Sequence, residues 1–325
     1  MKRATEAASE LNLSGLSTEQ QNVASAELDS LSSEEIARVI NSEDHKVADG
    51  VSRALPQIGE AIEAVAAALY KGGRLIYVGA GTSGRIAALD AAECPPTFNT
   101  APKTVQFVIA GGNRTLSSAA EFNEDSRRLG ERDIARKKPS SKDVVVGVAA
   151  SGRTPYTVAA LQYARSRGAK TIAVTCNPGS ELEKAAHISI VAEVGPEVLS
   201  GSTRMKAGTA QKMILNMLST GGMARLGYVY GNLMVNVHLK NKKLVERGIA
   251  IVQRAAGVDR HAAQAALKNA RNNVPVALVM LLAGVSRKAA AQRLKEVHGN
   301  VRRAIEVGTP RNNSKIGFRT YASSS

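Results

Sequence analysis

The spacing of apolar residues divides this chain into a helical beginning, a middle with strands and a helical end. From residue 17 to 71 apolar positions recur every three or four residues, which predicts helices. After Thr203 the helical pattern returns and continues to about residue 253. Residues 258–306 follow, with short breaks at 272–273 and 284–286, and this pattern predicts a separate unit of three helices.

The middle of the chain, from residue 74 to about 190, alternates short β-branched runs with helix-like segments. Such alternation predicts a doubly wound parallel sheet, an α/β architecture with helices on both faces. The predicted strands are 75–78, 105–109, 144–148, 171–175 and 188–191. We therefore expect a main domain over residues 17–253, a small helical unit over 258–306 and a flexible tail over 309–325.

Composition narrows the class of protein. Apolar residues make up 44% and charged residues 22%, an ordinary balance for a folded protein. Cys94 and Cys176 are too few for a disulfide framework or a cysteine zinc site, and the five histidines are too scattered to suggest a metal. No cofactor is implied. Without an apolar signal core or a run near the roughly 20 residues that a bilayer span needs, we expect a cytoplasmic protein.

The net charge of +15 is unevenly distributed along the chain. Residues 1–200 hold 22 basic and 24 acidic side chains, whereas residues 201–325 hold 21 basic and 4 acidic ones. Such a field attracts polyanions, but it equally attracts a small anionic substrate or keeps a protein soluble. The basic residues are spread over helical segments instead of forming a run, which disfavours nucleic acid as the partner.

The loop after the first predicted strand, G-A-G-T-S-G-R over residues 79–85, has the features of an anion site. In a parallel sheet, ligands bind where loops leave the carboxyl ends of the strands. The following helix start offers free N–H groups, and Thr82 and Ser83 add hydroxyl donors. The same string fits the dinucleotide fingerprint G-x-G-x-x-G. However, Ala110-Gly111-Gly112 stands where an acidic residue should hold the ribose, which disfavours NAD.

The loop after the third predicted strand repeats this chemistry. Pro155 suits the first turn of a helix, so the Ser151 hydroxyl and the N–H groups of Gly152 and Arg153 are predicted to face an anion. Ser151 and Thr154 alone would equally serve as ordinary helix caps. Two hydroxyl-rich helix starts on one edge of one sheet favour a shared phosphate pocket over that interpretation.

A long string at residues 195–212, G-P-E-V-L-S-G-S-T-R-M-K-A-G-T-A-Q-K, carries a family resemblance. The two loops resemble a sugar isomerase (SIS) domain, and the string is similar to a signature shared by N-acetylmuramic acid 6-phosphate etherases and the glucokinase regulatory protein. Residues 89–97 and 121–125 favour the etherase branch. The resemblance runs from about residue 17 to 306 and includes a C-terminal unit similar to a ubiquitin-associated-type three-helix fold.

The resemblance implies cleavage of the lactyl ether of N-acetylmuramic acid 6-phosphate to N-acetylglucosamine 6-phosphate and D-lactate. In the ring-opened sugar the C2 proton lies beside the C1 aldehyde, so elimination followed by water addition is the easier route. That route needs an acid and a base. By resemblance Glu93 is the proton donor and Glu124 the second catalytic group. We expect Glu93 at the end of a helix stopped by Cys94-Pro95, and Glu124 on a helix.

Neighbouring residues leave alternatives open. Glu121, three residues before Glu124, is the rival base on the same predicted helix face. Phe122 stands where the family commonly has glycine. Basic residues in the string over 195–212 would neutralise substrate charge or equally be helix-surface cations. The possible further substrate contacts are Glu197, Ser202, Arg204 and Lys206.

The resemblance also implies a homodimer with its active site near the subunit interface, because a long apolar helix over 213–226 needs cover. A non-catalytic phosphosugar-sensing SIS regulator is the alternative. Regulators similar to the glucokinase regulatory protein are longer and have a second SIS domain. SIS-type transcription regulators usually place a DNA-reading module before the domain, where this chain shows no basic recognition helix. The enzyme is therefore the favoured interpretation.

Overall fold

A five-stranded parallel sheet forms the centre of the N-terminal part, which confirms the predicted α/β class. The computed structural model describes residues 15–118, 123–239 and 241–307. The strands are β1 (Leu75–Gly79), β2 (Val105–Ile109), β3 (Val144–Val148), β4 (Lys170–Thr175) and β5 (Ile188–Val191). Both β1 and β3 are buried along their whole length, as expected for strands covered on both faces.

Helices cover both faces of this sheet. They are α1 (Ser33–Ser52), α2 (Leu55–Tyr70), α3 (Gly81–Phe98), α4 (Arg127–Ala135), α5 (Pro155–Ser166), α6 (Glu181–Ala185) and α7 (Lys206–Leu226). The alternation along β1 separates the two layers. Ile76 and Val78 pack into the core beneath α4 and α5, whereas the Tyr77 hydroxyl donates to Asp90 of α3. Helix α7 packs against α1, α2 and α3 on the Tyr77 side.

The strand order β2-β1-β3-β4-β5 places a reversal of the chain between β1 and β3. Gly79 at the end of β1 pairs with Val148 at the end of β3. The loops that leave these two strands therefore diverge from neighbouring points, and a crevice opens between them. Ligands bind at this position in open parallel sheets.

The segment before α1 differs from the helical prediction. Residues 17–30 form short 3₁₀ turns, and the first α-helix begins at Ser33 after a capping box formed by Ser32 and Glu35. Hydrogen bonds to distant residues hold this segment. The Ser17 amide donates to Asn177 at 2.9 Å, and the Ser25 hydroxyl donates to the Val198 carbonyl at 2.7 Å. These contacts fix the segment without regular helix, which a local sequence pattern does not reveal.

The chain divides into two compact units, and the second consists of Val229–Val235 and the chain from Leu239 onward. Its helices are α8 (Lys242–Ala256), α9 (Arg260–Asn269), α10 (Val274–Ala283), α11 (Arg287–Glu296) and α12 (Val301–Glu306). The apolar α10 contacts all four of the others and forms the centre of the unit. At the start of each helix a polar side chain accepts a hydrogen bond from the amide of the third helical residue.

The sequence-based boundary after residue 253 falls inside α8, which packs with α9 and α10. The breaks predicted at 272–273 and 284–286 do separate helices, but residues 258–306 contain four helices where three were expected. The likeness to a ubiquitin-associated fold stays a prediction, and the tail over 309–325 lies outside the described residues.

In the described residues no single helix is long and apolar enough to cross a membrane. The helices α10 and α11 together have the length and apolar composition of a membrane span, but the chain bends by 108° between them.

Candidate functional site

A cavity of about 370 Å³ opens at the carboxyl ends of β1 and β3, where the strand order predicts a ligand. Its walls come from the loops after these two strands, the turn before α4, the 3₁₀ segment and the residues before α7. The polar side chains in its lining are Glu19, Thr82, Ser83, Arg85, Glu124, Ser151, Thr154 and Thr203.

The loop after β1 presents hydrogen-bond donors to this cavity. Helix α3 begins at Gly81 without a side-chain cap, so the amides of Gly81, Thr82 and Ser83 have no intrahelical partner. Within the described ranges, no other group accepts from these amides or pairs with the Thr82 and Ser83 hydroxyls. The helix start also carries partial positive charge. These features suit an anion such as a phosphate group.

The loop after β3 contributes two hydroxyls, from Ser151 and Thr154. Thr154 occupies the N-cap position of α5, but its side chain makes no capping hydrogen bond, which argues against the ordinary cap. Gly152 and Arg153 do not line the cavity, contrary to the prediction. The Gly152 amide donates to the Ala149 carbonyl at 3.0 Å and the Arg153 amide to the Ser151 hydroxyl at 3.2 Å. Both amides are therefore used inside the turn.

Gly152 shapes that turn. Its φ of +66° lies in the left-handed region, and a Cβ there would collide with the Ser180 side chain. Its carbonyl also accepts from the Leu182 amide at 3.0 Å. Gly152 therefore positions Ser151 at the cavity, although Gly152 itself does not line the cavity.

Glu124 lies in the cavity, in the turn before α4 and not on a helix as predicted. The helix begins only at Arg127, after the Ser126 cap. The Glu124 carbonyl accepts from the Tyr156 amide at 3.0 Å, which fixes the turn against α5. Its Oε1 lies 2.9 Å from where a Cβ on Gly81 would stand, beside the free amides of α3. The rival Glu121 and Phe122 lie outside the described residues.

Glu93 lies outside the cavity of its own chain. The prediction that Pro95 ends the helix is wrong, because α3 continues through Pro95 and Pro96 to Phe98. Proline removes amide donors, but its fixed φ is compatible with a helix. Glu93 is exposed, about 18 Å along the helix axis from Gly81 at 1.5 Å per residue. One chain does not bring Glu93 and Glu124 to one cavity.

The segment before α7 uses its charged residues to build the fold. Glu197 is fully buried and accepts from the Lys206 and Ala207 amides, each at 2.9 Å, which caps α7. Burial raises the pKa of Glu197, and the two amides oppose that shift. The buried Lys206 ammonium lies 2.6 Å from Glu43. These two residues, expected to contact substrate, therefore pair with the protein itself.

The two other predicted contacts from this segment, Ser202 and Arg204, also lie outside the cavity lining, and Arg204 is exposed. The residue between them, Thr203, does line the cavity. The prediction thus found the right segment and missed the residue that faces the cavity, because the backbone turn there decides which side chain points inward.

Glu43 completes the buried ion pair. Burial alone would raise the pKa of Glu43, but hydrogen bonds from Lys206 and Lys46 outweigh burial and lower it to about 2. Lys46 is mostly exposed and lies 2.6 Å from the other carboxylate oxygen. The pair therefore ties α1 to the start of α7.

A buried carboxylate on α3, which the sequence analysis did not single out, ties α3 to α7. Asp90 is 5% exposed and accepts from Tyr77 at 2.8 Å, Asn216 at 2.7 Å and Ser219 at 3.0 Å. Burial raises the pKa of Asp90, and these three donors oppose the shift. An aspartate on the apolar face of a helix beside Ala87 and Ala91 was the available signal.

The cysteines do not act as nucleophiles at neutral pH. Burial raises the pKa of both Cys94 and Cys176 to about 12, so both thiols stay protonated. Across the described part of the chain, no three histidine, cysteine or carboxylate side chains are placed to hold a metal ion.

Comparison with known proteins adds the family. A model of the glucokinase regulatory protein N-terminal SIS domain matches residues 57–165, and a model of the SIS domain matches residues 137–221. The N-acetylmuramic acid 6-phosphate etherase of Aeromonas hydrophila is 53% identical over 82% of this chain and 90% of its own length. That of Clostridium beijerinckii is 48% identical over 82% and 88%. The chain belongs to the N-acetylmuramic acid 6-phosphate etherase family.

Among solved structures, a phosphoheptose isomerase from Francisella tularensis covers 60% of this etherase-family chain and 100% of its own, with 18% identity and a TM-score of 0.48. Three polar side chains that line the cavity of this chain were not among the predicted contacts, namely Glu19, Arg85 and Thr203. Arg85 is held by hydrogen bonds to the Thr115 and Ser118 carbonyls at 2.9 and 3.1 Å. Glu19 carried no signal, because it lies in the segment that was predicted to be helical.

Proposed function

We propose that this protein cleaves the lactyl ether of N-acetylmuramic acid 6-phosphate, giving N-acetylglucosamine 6-phosphate and D-lactate in cell-wall sugar recycling. The observation that supports it most is a cavity that combines unpaired hydrogen-bond donors with the Glu124 carboxylate. The donors suit a phosphate group, and the carboxylate suits proton transfer. Identity of about one half with proteins named for this etherase activity supports the same function.

The phosphate group is assigned to the two hydroxyl-rich loops. Ser83 and Thr82 at the start of α3 donate from one side, and Ser151 and Thr154 from the other. Hydrogen bonds to a charged phosphate are stronger than those between neutral groups, so a few of them position the sugar. Gly152 and Arg153 act behind Ser151, by shaping its turn.

The reaction is an elimination followed by addition. Glu124 takes the C2 proton of the ring-opened sugar, the electron pair forms the C2–C3 double bond, and the C3–O bond breaks. Glu93 gives a proton to the departing lactyl oxygen. Water then adds at C3 and a proton returns to C2. Two carboxyl groups in different environments suit this division of roles.

Glu93 serves the cavity of a second copy in a homodimer. It lies on an exposed face of α3 together with Leu89, Ala92 and Pro96, and Leu89 is 53% exposed. An exposed apolar face that surrounds a carboxylate suits a contact with another protein surface. Because Glu93 lies outside its own cavity, such a contact is the route by which both glutamates reach one substrate.

The direct test is D-lactate release from N-acetylmuramic acid 6-phosphate by the purified protein, and no release would contradict the proposed function. Glu93→Gln and Glu124→Gln should each lower the rate by about 10²–10⁴. Glu93→Gln should keep exchange of the C2 proton with deuterated solvent, and Glu124→Gln should lose it. Glu121→Gln is the control, and loss of exchange in that variant alone would make Glu121 the base.

Subunit mixing tests the homodimer. Co-expressed Glu93→Gln and Glu124→Gln chains form mixed dimers in which one of the two cavities has both carboxylates. Recovery to about a quarter of the wild-type rate is expected, since half of the dimers are mixed and half of their sites intact. No recovery, or a monomeric mass by light scattering with full activity, would contradict a site shared between copies.

A further inference from the structure

Glu19 lines the cavity although the proposed elimination does not use it. It is half-buried and belongs to the 3₁₀ segment, which is far in sequence from both hydroxyl-rich loops. Across the described residues no hydrogen-bond donor or cation pairs with its carboxylate. A carboxylate held toward a cavity without a protein partner is available to a ligand.

Hydrogen bonds from the neighbouring residues to a buried asparagine fix the position of Glu19. Asn177, which is 2% exposed, accepts from the Ser17 amide and hydroxyl at 2.9 Å. Its amide nitrogen donates to the Thr18 hydroxyl at 3.1 Å and to the Ala150 carbonyl at 3.0 Å. One buried side chain therefore joins the residues before Glu19 to the loop that presents Ser151.

The other side of Glu19 is fixed by the segment before α7. The Gly201 amide donates to the Thr18 carbonyl at 3.2 Å, and the Ser200 hydroxyl donates to the Glu19 carbonyl at 3.2 Å. Gly201 has a φ of +75°, and a Cβ there would lie 3.1 Å from Glu19 Oε2. The glycine thus leaves room for the carboxylate at the cavity edge.

The charge of Glu19 conflicts with phosphate binding. A carboxylate near a phosphate is repelled, and a cavity that only had to hold phosphate would do better without it. Sugar hydroxyl groups, in contrast, donate strong hydrogen bonds to a carboxylate. The Glu19 carboxylate is therefore suited to bind the sugar part of the ligand, and it repels a phosphate group that is placed beside it.

We propose that Glu19 is a specificity-determining residue of the cavity: it accepts hydrogen bonds from sugar hydroxyl groups and directs the phosphate toward the Ser83 and Ser151 loops. This inference rests on the proposed function in that it takes the ligand to be a phosphosugar. It concerns binding and orientation, so it does not depend on which carboxylates transfer protons.

Calorimetric titration tests the inference with two probes, inorganic phosphate and N-acetylglucosamine 6-phosphate, on the full-length protein. The wild type is compared with Glu19→Gln, which keeps the size of the side chain and removes its charge. Glu27→Gln is the matched control, because Glu27 is exposed on the same segment and does not line the cavity. Gly201→Ala is a second variant that crowds Glu19 without changing any charge.

In Glu19→Gln the preference for the sugar phosphate over phosphate alone should fall by about tenfold, because the hydroxyl contact weakens and the repulsion of phosphate disappears. Gly201→Ala should lower the same ratio by less, and Glu27→Gln should leave it unchanged. An unchanged ratio in Glu19→Gln, including an equal loss of affinity for both probes, would overturn the inference. Since neither probe undergoes ether cleavage, a wild type that binds in this pattern but releases no D-lactate would contradict the proposed function alone.

Discussion

The loops after β1 and β3 and the segment that leads into α7 all contain several polar residues, yet the structure uses them differently. At the cavity, the Ser83 and Thr154 hydroxyls and the amides at the start of α3 have no described protein partner. At the start of α7, in contrast, Glu197 and Lys206 are almost wholly buried and paired within the protein. A polar motif therefore marks either a ligand site or an internal support, and the partner of each side chain decides which.

The largest expected effect separates the carboxylates of the two regions. Glu124→Gln should lower D-lactate release by about 10²–10⁴ and lower the unfolding temperature less than Glu197→Gln does, because Glu124 lines the cavity and Glu197 is fully buried. Glu197→Gln should instead cost about 1–3 kcal/mol of stability, since an amide presents a donor to one of the two N–H groups it must accept from. Thermal unfolding and rates measured on both variants check the contrast. It fails if Glu197→Gln lowers the rate as much without a loss of stability.

The buried ion pair between Glu43 of α1 and Lys206 at the start of α7 should produce the next largest effect. Glu43→Gln leaves the Lys206 ammonium buried without its counter-charge, which costs about 3–5 kcal/mol. Urea unfolding measures this loss. Glu34→Gln is the control, because Glu34 pairs with Arg38 at a similar distance while 80% exposed, and an exposed pair contributes about 0–1 kcal/mol. Equal losses in both variants would contradict the structural role of the Glu43–Lys206 pair.

The same pair predicts a dependence of stability on pH. The pKa of Glu43 is about 2 in the folded chain, below its ordinary value of 4.5, so its contribution is present above pH 4.5 and is lost as the pH falls toward 2. The loss should approach about 3 kcal/mol over that window. Urea unfolding of the wild type and of the apolar double variant Glu43→Leu, Lys206→Met should show a flatter acid profile for the variant. Parallel profiles would count against the low pKa.

The smallest effect concerns single hydroxyls of the cavity. Ser83→Ala and Ser151→Ala should each weaken binding of the phosphosugar by about 1–2 kcal/mol, the scale of one hydrogen bond to a charged group. Ser166→Ala on the exposed side of α5 is the control, since its hydroxyl donates to the Tyr163 carbonyl away from the cavity. Calorimetry with N-acetylglucosamine 6-phosphate measures the difference. Affinities that match the control would remove these hydroxyls from the phosphate site.

The strands were predictable because a buried parallel sheet requires unbroken β-branched runs. β2, β3 and β5 have the predicted bounds, and β1 and β4 differ by one residue at one end. The start of α1 also has a local signal in the sequence, because Ser32 and Glu35 form a capping box. The turns over residues 17–30 were not predictable, since contacts such as those with Asn177 lie about 160 residues away in sequence.

The candidate site was predictable as far as strand ends and loop chemistry define it. Thr82, Ser83, Ser151 and Thr154 line the cavity as the loops suggested. The predicted position of Glu93 at the end of a helix was wrong, because the φ of Pro95 and Pro96 is compatible with a helix and α3 continues to Phe98. Spacing along a chain gives the residue type at a position but not whether its side chain faces a ligand or the core.

The rate of D-lactate release from N-acetylmuramic acid with and without its 6-phosphate shows whether the cavity at β1 and β3 binds the phosphate. The value of kcat/KM should be at least about a thousandfold higher for the phosphorylated sugar, since several charge-assisted hydrogen bonds are lost with the phosphate. Equal turnover of the two sugars would contradict the assignment of the cavity.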